Sequence, residues 1–167
     1  MCPPAVRPSA SLRHRLPIAV QSSTALVEVF SRGQLIRAGT FQTAPVAPVI
    51  FTLNQSGSGP AAALDGINFI GPPFAATQPN GQPNIIAVYA SGLGVDATGN
   101  TGGNVAASVQ ATIDGMPVAV EYAGPAPGFT ALNQINVKFP AGLSSGVHNL
   151  VITRNGIPGN MTTIAIR

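Results

Sequence analysis

The sequence is poor in the residues that most often carry chemistry. Its 167 residues include one cysteine, no tryptophan and two histidines, and only 8% are charged. The single cysteine, Cys2, excludes a disulfide within the chain. The charged fraction is far below the roughly 25% that is usual for soluble domains. Few side chains are thus available for acid–base chemistry or ion binding, and we expect no cofactor.

Positive charge is concentrated at one end of the chain. Five arginines and one glutamate lie in residues 1–37, whereas residues 38–167 hold one lysine and two arginines against four carboxylates. Nucleic-acid binding requires lysine and arginine clustered on one face. The body of the chain lacks such a cluster, so we expect no nucleic-acid partner.

Long apolar runs are missing as well. None approaches the roughly 20 residues that cross a bilayer, so no membrane span is expected. Residues 1–20 also lack the apolar core of a secretory signal. The single lysine and the many Thr, Asn, Gly and Ala residues are nevertheless typical of an exported bacterial β-domain. We expect an extracellular or cell-surface protein whose start is truncated or misassigned, with residues 1–16 as a disordered tail.

Glycine, proline and short apolar strands are what the sequence has in quantity. Its 19 glycines and 16 prolines disfavour helices. Alternating or continuous apolar runs predict strands at 24–31, 49–53, 84–90, 108–113, 116–123, 134–139, 148–154 and 161–166. Two-residue turns at 114–115 and 155–156 carry the Asp-Gly and Asn-Gly pairs of β-hairpins. The pattern predicts an all-β, immunoglobulin-like antiparallel β-sandwich.

A shift of 123 residues places residues 17–33 on residues 140–156 without a gap. Val27 and Val29 then fall on Leu150 and Ile152, and the final glycines coincide. We interpret residues 17–45 as a partial β unit, the closing hairpin of an upstream sandwich, and residues 46–167 as the complete sandwich. Because two strands cannot form a stable core alone, the hairpin is expected to dock on the main sandwich or on a partner chain.

Several segments together resemble one protein family. They are APVIFTLNQSGSGPAA, NIIAVYASGLG, IDGMPVAVEYAG, PAPGFTALNQINVKFPAGLSSG and VITRNG, and their order and spacing cover nearly all of residues 45–167. They resemble the uncharacterised C-terminal domain family named after Solibacter, a bacterial immunoglobulin-like module related in shape to IPT/TIG domains. The resemblance implies a part of a large exported bacterial protein and brings no established activity or ligand with it.

Candidate catalytic and metal-binding residues are few. His14 lies among arginines, and His148 opens a strand whose next same-facing residue is Leu150, so a structural role is favoured. No nucleophile elbow and no Cys/His metal spacing occurs. The loop DATGNTGGN offers Asp96, Asn100 and Asn104 as oxygen ligands, but one carboxylate is too little charge for tight calcium binding. We expect a solvated loop, no metal site and no enzymatic activity.

Aromatic side chains leave open a second function, carbohydrate binding or adhesion. Most of the seven Phe lie in apolar contexts and are expected in the core. Tyr89 and Tyr122 lie in predicted strands, where packing beside the core with a bonded hydroxyl is favoured over ligand contact. Phe129 follows the turn at Pro127-Gly128, and we expect it to cover an end of the core rather than to contact a ligand.

Gln134 and Asn136 are the remaining polar feature. They alternate with Ile135, Val137 and Phe139, so both amides project from the face opposite the core. Amides at a loop-to-strand junction commonly bond to nearby backbone, which predicts a structural tie. The sequence therefore favours a non-enzymatic structural or interaction module that contacts neighbouring domains or protein partners, with glycan as the other ligand class.

Overall fold

The computed structural model describes residues 23–96, 99, 102–129 and 131–167. Strands run antiparallel throughout and make the described chain all-β, which confirms the predicted fold class. The chain divides into two compact units, Met1–Pro45 and Val46–Arg167. The expectations for Cys2, His14, Asn100 and the tail at 1–16 lie outside the described residues.

Twelve strands are present in the described residues. In chain order they are β1 (Ser23–Ser31), β2 (Gln34–Thr43), β3 (Val49–Ile50), β4 (Ala63–Asp65), β5 (Ile85–Ser91), β6 (Val109–Ile113), β7 (Met116–Val118), β8 (Val120–Pro125), β9 (Asn133–Lys138), β10 (Gly146–Arg154), β11 (Ile157–Pro158) and β12 (Thr162–Ile166). A short 3-10 turn, Ala106–Ser108, precedes β6. No strand occurs between 66 and 84, where prolines and glycines predict a loop.

The second unit is built from two five-stranded sheets. In the first sheet the order is β3-β5-β9-β8, and β4 shares one edge of β5 with β3. In the second sheet the order is β11-β10-β6-β7, and β12 also pairs with β10. β5 is thus a central strand, as the apolar run at 84–90 predicts.

The single strand predicted at 116–123 is wrong. β7 pairs with β6 in the second sheet, whereas β8 pairs with β9 in the first. The chain changes sheets at Ala119, whose carbonyl accepts a hydrogen bond from the Lys138 amide at 2.9 Å. Because both halves remain extended, sequence periodicity does not reveal the change of sheet.

Apolar side chains from both sheets form one core. The first sheet contributes Ile86, Val88, Ile135 and Val137, and the second contributes Ile113, Leu150, Ile152 and Ile164. Phe74 and Phe139 pack in this core with ring centroids 6.4 Å apart. The expectation that most Phe are buried is wrong, because the other five are exposed: Phe30, Phe41, Phe51, Phe69 and Phe129.

Asparagine and arginine side chains tie the loops of this unit to its strands. Oδ1 of Asn160 accepts from the amide of Ile50 at 2.7 Å, and its Nδ2 donates to the carbonyls of Ile50 and Gly57. Oδ1 of Asn104 accepts from two backbone amides. The guanidinium of Arg154 is buried and donates to three carbonyl oxygens, those of Leu93, Val95 and Val105. Burial lowers the pKa of Arg154.

The described part of the first unit, taken by itself, holds a two-stranded hairpin. β1 pairs with β2 across a turn at Arg32 and Gly33, both of which have positive φ. Ala25, Val27 and Val29 share one face and are half-buried. On the other face Leu26 and Phe30 are exposed. Strand pairing follows the hairpin prediction for this stretch.

The shift of 123 residues maps this hairpin onto the closing strands of the second unit. β1 coincides with β10 at both ends, and β2 spans the stretch from the start of β11 to the end of β12. All seven residue pairs that β10 makes with β11 and β12 have a counterpart between β1 and β2. At the first pair Ser23↔Thr43 corresponds to Gly146↔Ile166. The two hairpins therefore share their register as well as their sequence pattern.

Candidate functional site

A cleft lies on the outer face of the first sheet. We call it the amide cleft, and its volume is about 580 Å³. Its floor is formed by strands β4, β5 and β9, its first rim by the turn after β8 and its second rim by the loop after β4. The lining residues are Leu64, Gly66, Ile67, Phe69, Ile85, Ala87, Tyr89, Ala126, Pro127, Phe129, Gln134 and Asn136. Five residues singled out in the sequence thus meet at one site: Tyr89, Pro127, Phe129, Gln134 and Asn136.

The register of β5 against β9 determines which side chains form the floor of the cleft. Tyr89 lies opposite Gln134, and Ala87 lies opposite Asn136, in neighbouring antiparallel strands. Because side chains alternate along a strand, the intervening Ile135 enters the core while Gln134 and Asn136 project outward. The floor is consequently a short ladder of one phenol and two amides on an otherwise apolar surface.

The two amides bond to each other. Nε2 of Gln134 donates to Oδ1 of Asn136 at 2.8 Å. The expectation that they bond to loop backbone is wrong, because no described backbone group is a partner of either side chain. This bond fixes both amide orientations. Oε1 of Gln134, as an acceptor, and Nδ2 of Asn136, as a donor, remain for a ligand.

The first rim is a tight turn. The amide of Phe129 donates to the carbonyl of Ala126 at 3.1 Å, and Gly128 between them has φ +80°. Proline at the second position and positive φ at the third are the features of a type II turn. Phe129 at its end is 64% exposed, so its predicted role in covering the core is wrong. The ring is available at the edge of the cleft.

The second rim is the loop after β4, and the sequence does not predict its part in the cleft. Oδ1 of Asp65 accepts from the amides of Ile67 and Asn68, both at 2.8 Å, which folds the loop tightly after β4. Phe69 in this loop has positive φ and is 69% exposed. The apolar residues at 67–70 (INFI) could have indicated this rim from the sequence, but they lie among prolines and glycines that predict a loop.

Charge near the cleft is neutralised by internal contacts. None of the described lining residues is charged. Lys138, which follows Asn136 on the same face of β9, lies 3.4 Å from Glu121. Burial acts to raise the pKa of Asp65, but hydrogen bonds from Asn84 and from the loop backbone outweigh it and the pKa is lowered. The cleft suits an uncharged ligand that offers both an apolar surface and hydrogen-bonding groups.

Tyr122 does not line the amide cleft. Its hydroxyl donates to the carbonyl of Pro125 at 2.8 Å, and a side chain at Gly124 would meet its ring. The expected hydroxyl partner is therefore found for Tyr122, but the expected place beside the core is not, because Tyr122 pairs with the outward-facing Asn136 and is not among the core residues. Tyr89 is half-buried, and its hydroxyl has no hydrogen-bond partner among the described residues.

His148 belongs to a separate structural pair. Its Nδ1 lies 2.7 Å from Oδ2 of Asp114, and its Nε2 lies 2.9 Å from the carbonyl of Ser144. The hydrogen bond to Asp114, then that to Ser144, raises the pKa of His148. The backbone amide of Asn149, then the imidazole, lowers the pKa of Asp114. With an acceptor at each ring nitrogen, His148 holds the β6–β7 turn against β10.

Other candidate positions have structural partners. Asn104, considered as a cation ligand with Asp96, uses its oxygen on the amides of Ala106 and Ala123. Within the described ranges, no group of three His, Cys, Asp or Glu residues could hold a metal ion. No helix of the described residues is long and apolar enough to cross a membrane.

Comparison with known proteins found no match, whether to a protein-family model, to a curated protein or to a solved structure.

Proposed function

We propose that the chain is a non-enzymatic structural and interaction module of an exported or cell-surface bacterial protein, built on an immunoglobulin-like sandwich of the Solibacter type. One observation carries the proposal: the hairpin β1–β2 repeats the register of β10, β11 and β12 pair by pair. A repeated supersecondary unit in one chain is typical of proteins assembled from modules in series.

The hairpin supports a modular arrangement through its exposed chemistry. On one face Val27 and Val29 occupy the positions of Leu150 and Ile152, which lie in the core of the complete unit. In that unit β10 has a second neighbour, β6, whereas β1 has β2 as its one partner among the described strands. We therefore regard β1–β2 as the closing hairpin of another sandwich of the same plan.

The interaction part of the proposal is supported by the amide cleft. Its exposed rim residues Phe69 and Phe129 are apolar, and its floor offers hydrogen-bonding amides. The structural use of His148 supports a non-enzymatic role, because the groups at Asp114 and Ser144 occupy both ring nitrogens.

A fusion protein tests the modular arrangement. Residues 46–145 are placed directly before residue 23, so that β1 follows them as β10 does in the complete unit. Hydrogen exchange of the β1 and β2 amides is compared with that in the original chain. We expect strong slowing, because β1 gains a β6-like neighbour and a core.

Two controls make the fusion decisive. A fusion with Val27→Asp places a charge in the new core and should restore rapid exchange. A fusion in which residues 146–167 follow residue 145 reports the exchange of a complete unit. Equal exchange of the hairpin in the fusion and in the original chain would contradict the modular proposal.

A further inference from the structure

We infer that the amide cleft is a binding site for a neutral carbohydrate, recognised through a pair of adjacent hydroxyl groups. The inference rests on the interaction function proposed above and assigns its ligand class. Three properties of the site carry it: the fixed orientation of the two amides, the exposed aromatic rims and the absence of charged lining residues in the described part of the chain.

The amide pair presents one acceptor beside one donor. Nε2 of Gln134 is used on Oδ1 of Asn136, whereas Oε1 of Gln134 and Nδ2 of Asn136 carry no hydrogen bond among the described residues. Each hydroxyl of a sugar is both donor and acceptor. Two neighbouring hydroxyls can therefore bond the pair at once, one donating to Gln134 and the other accepting from Asn136.

Aromatic side chains provide the complementary apolar contacts. Phe129 and Phe69 are exposed on opposite rims, and Tyr89 lies half-buried in the floor beside Gln134. The C–H face of a pyranose is apolar and can lie against such a ring, while its hydroxyl edge faces the amides. The phenol of Tyr89 adds a third hydrogen-bonding group, since no described residue bonds it.

The arrangement of charges around the cleft favours neutral sugars over anionic ones. The nearest cation on the floor strand, Lys138, is paired with Glu121 at 3.4 Å, and Asp65 is occupied by amide donors. A uronic acid or sialic acid would thus bring a carboxylate to a site with no free cation among its lining residues. Desolvating that carboxylate without a partner is unfavourable.

The size of the cleft matches a short oligosaccharide. Its volume of about 580 Å³ lies within the range of small-molecule sites. A flat, uncharged peptide is the competing ligand, because it offers the same mixture of apolar and amide groups.

Titration of the full chain with defined probes tests the inference. The neutral probes are cellohexaose, xylohexaose, mannohexaose and laminarihexaose, the charged probe is a hexagalacturonate, and the peptide probe is an uncharged proline-rich decapeptide. Binding is followed by side-chain amide NMR shifts of Gln134 and Asn136 and by calorimetry. We expect at least one neutral hexasaccharide to bind with Kd below about 1 mM and to shift both amides.

Matched variants separate site binding from general adhesion. Phe129→Ala and Gln134→Leu should each weaken binding roughly tenfold or more, because they remove the stacking ring and the hydroxyl acceptor. Met116→Ala, which removes an exposed apolar side chain from the other sheet, should leave binding unchanged. Amide spectra confirm that each variant is folded.

The outcomes distinguish this inference from the function on which it rests. Binding of the peptide but no neutral sugar, with the same loss in Phe129→Ala, would overturn the carbohydrate assignment and keep an interaction surface. Preference for hexagalacturonate would overturn neutrality. No binding of any probe, or sugar binding unaffected by both cleft variants, would overturn the inference, while the modular arrangement would still be decided by hydrogen exchange in the fusion protein.

Discussion

The side-chain nitrogen of Asn84 lies 2.8 Å from Oδ2 of Asp65, and this contact joins the residue before β5 to the last residue of β4, from which the loop of the second rim begins. Asn84 is buried, and its amide also donates to the carbonyl of Ala75 at 3.0 Å. Its Oδ1 accepts from the amide of Ile85. One side chain thus holds the second rim of the amide cleft in place.

Substitution of Asn84 should destabilise the sandwich. Asn84→Ala removes the side-chain donor to Oδ2 of Asp65 and to the Ala75 carbonyl, and we expect the free energy of unfolding to fall by about 2–4 kcal/mol. Urea unfolding of the full chain measures this change. Asn80→Ala, a change at an exposed loop asparagine that bonds the nearby Gln82 amide, is the control and should cost less than about 1 kcal/mol. Equal losses would contradict the role of Asn84.

The amides of the cleft should contribute little to stability. Gln134 and Asn136 bond only each other among the described residues, and both are half-buried on the outer face of β9. In the double variant Gln134→Val, Asn136→Val, two side chains with high strand preference replace them. We expect unfolding in urea to change by less than about 1 kcal/mol. A loss of more than about 2 kcal/mol would restore the structural tie that the sequence predicts.

Period-two alternation was sufficient to predict most of the fold. It assigned Ile135 and Val137 to the core, and two-residue turn chemistry located the hairpins at 114–115 and 155–156. The change of sheet at Ala119 could not be predicted, because extended backbone continues through it. Periodicity describes which face a residue occupies, but it does not say which sheet the strand joins.

The site was predictable in its residues but not in their roles. Tyr89, Gln134 and Phe129 were singled out, and strand register with one turn brings them together. Whether an outward amide bonds backbone or another amide depends on distances that the sequence does not contain. Asn84 resembles any polar residue before a strand, and only its burial identifies it as the tie.

We predict that position 92 requires glycine, because this residue after β5 lies against the segment that leads into β3. Gly92 has φ +78°, its carbonyl accepts from the amide of Ala47 at 2.9 Å, and a Cβ there would overlap the Ala47 carbonyl oxygen. Gly81 has φ +79° with open space around it, so Gly81→Ala reports backbone strain alone, roughly 1–2 kcal/mol. Gly92→Ala adds displacement of the backbone and should cost at least about 2 kcal/mol more.

Thermal or urea unfolding of the two variants gives the comparison. If Gly92→Ala and Gly81→Ala lose equal stability, the close approach of Gly92 to Ala47 does not limit the residue at position 92.

The pair of His148 and Asp114 should make stability depend on pH. The folded pKa of His148 is raised above its ordinary 6.5 by the bond to Asp114, so the unfolded state loses its proton first. The stabilisation is complete below about 6.5 and disappears as pH rises through the folded pKa. Asp114 has a lowered pKa, so its contribution is complete above its ordinary 3.8 and disappears as pH falls through the folded value.

Urea unfolding at a series of pH values measures both losses of stability, that of His148 at high pH and that of Asp114 at low pH. We expect the free energy of unfolding to be greatest in mildly acidic solution, above the ordinary pKa of Asp114 and below that of His148, and to decline as pH rises from 6.5 through the folded pKa of His148. His148→Gln keeps a polar side chain without titration and should remove the decline at high pH. Asp114→Asn should also flatten it, because the imidazolium loses its charged partner. A decline of the same size in His148→Gln would assign the pH dependence to other groups.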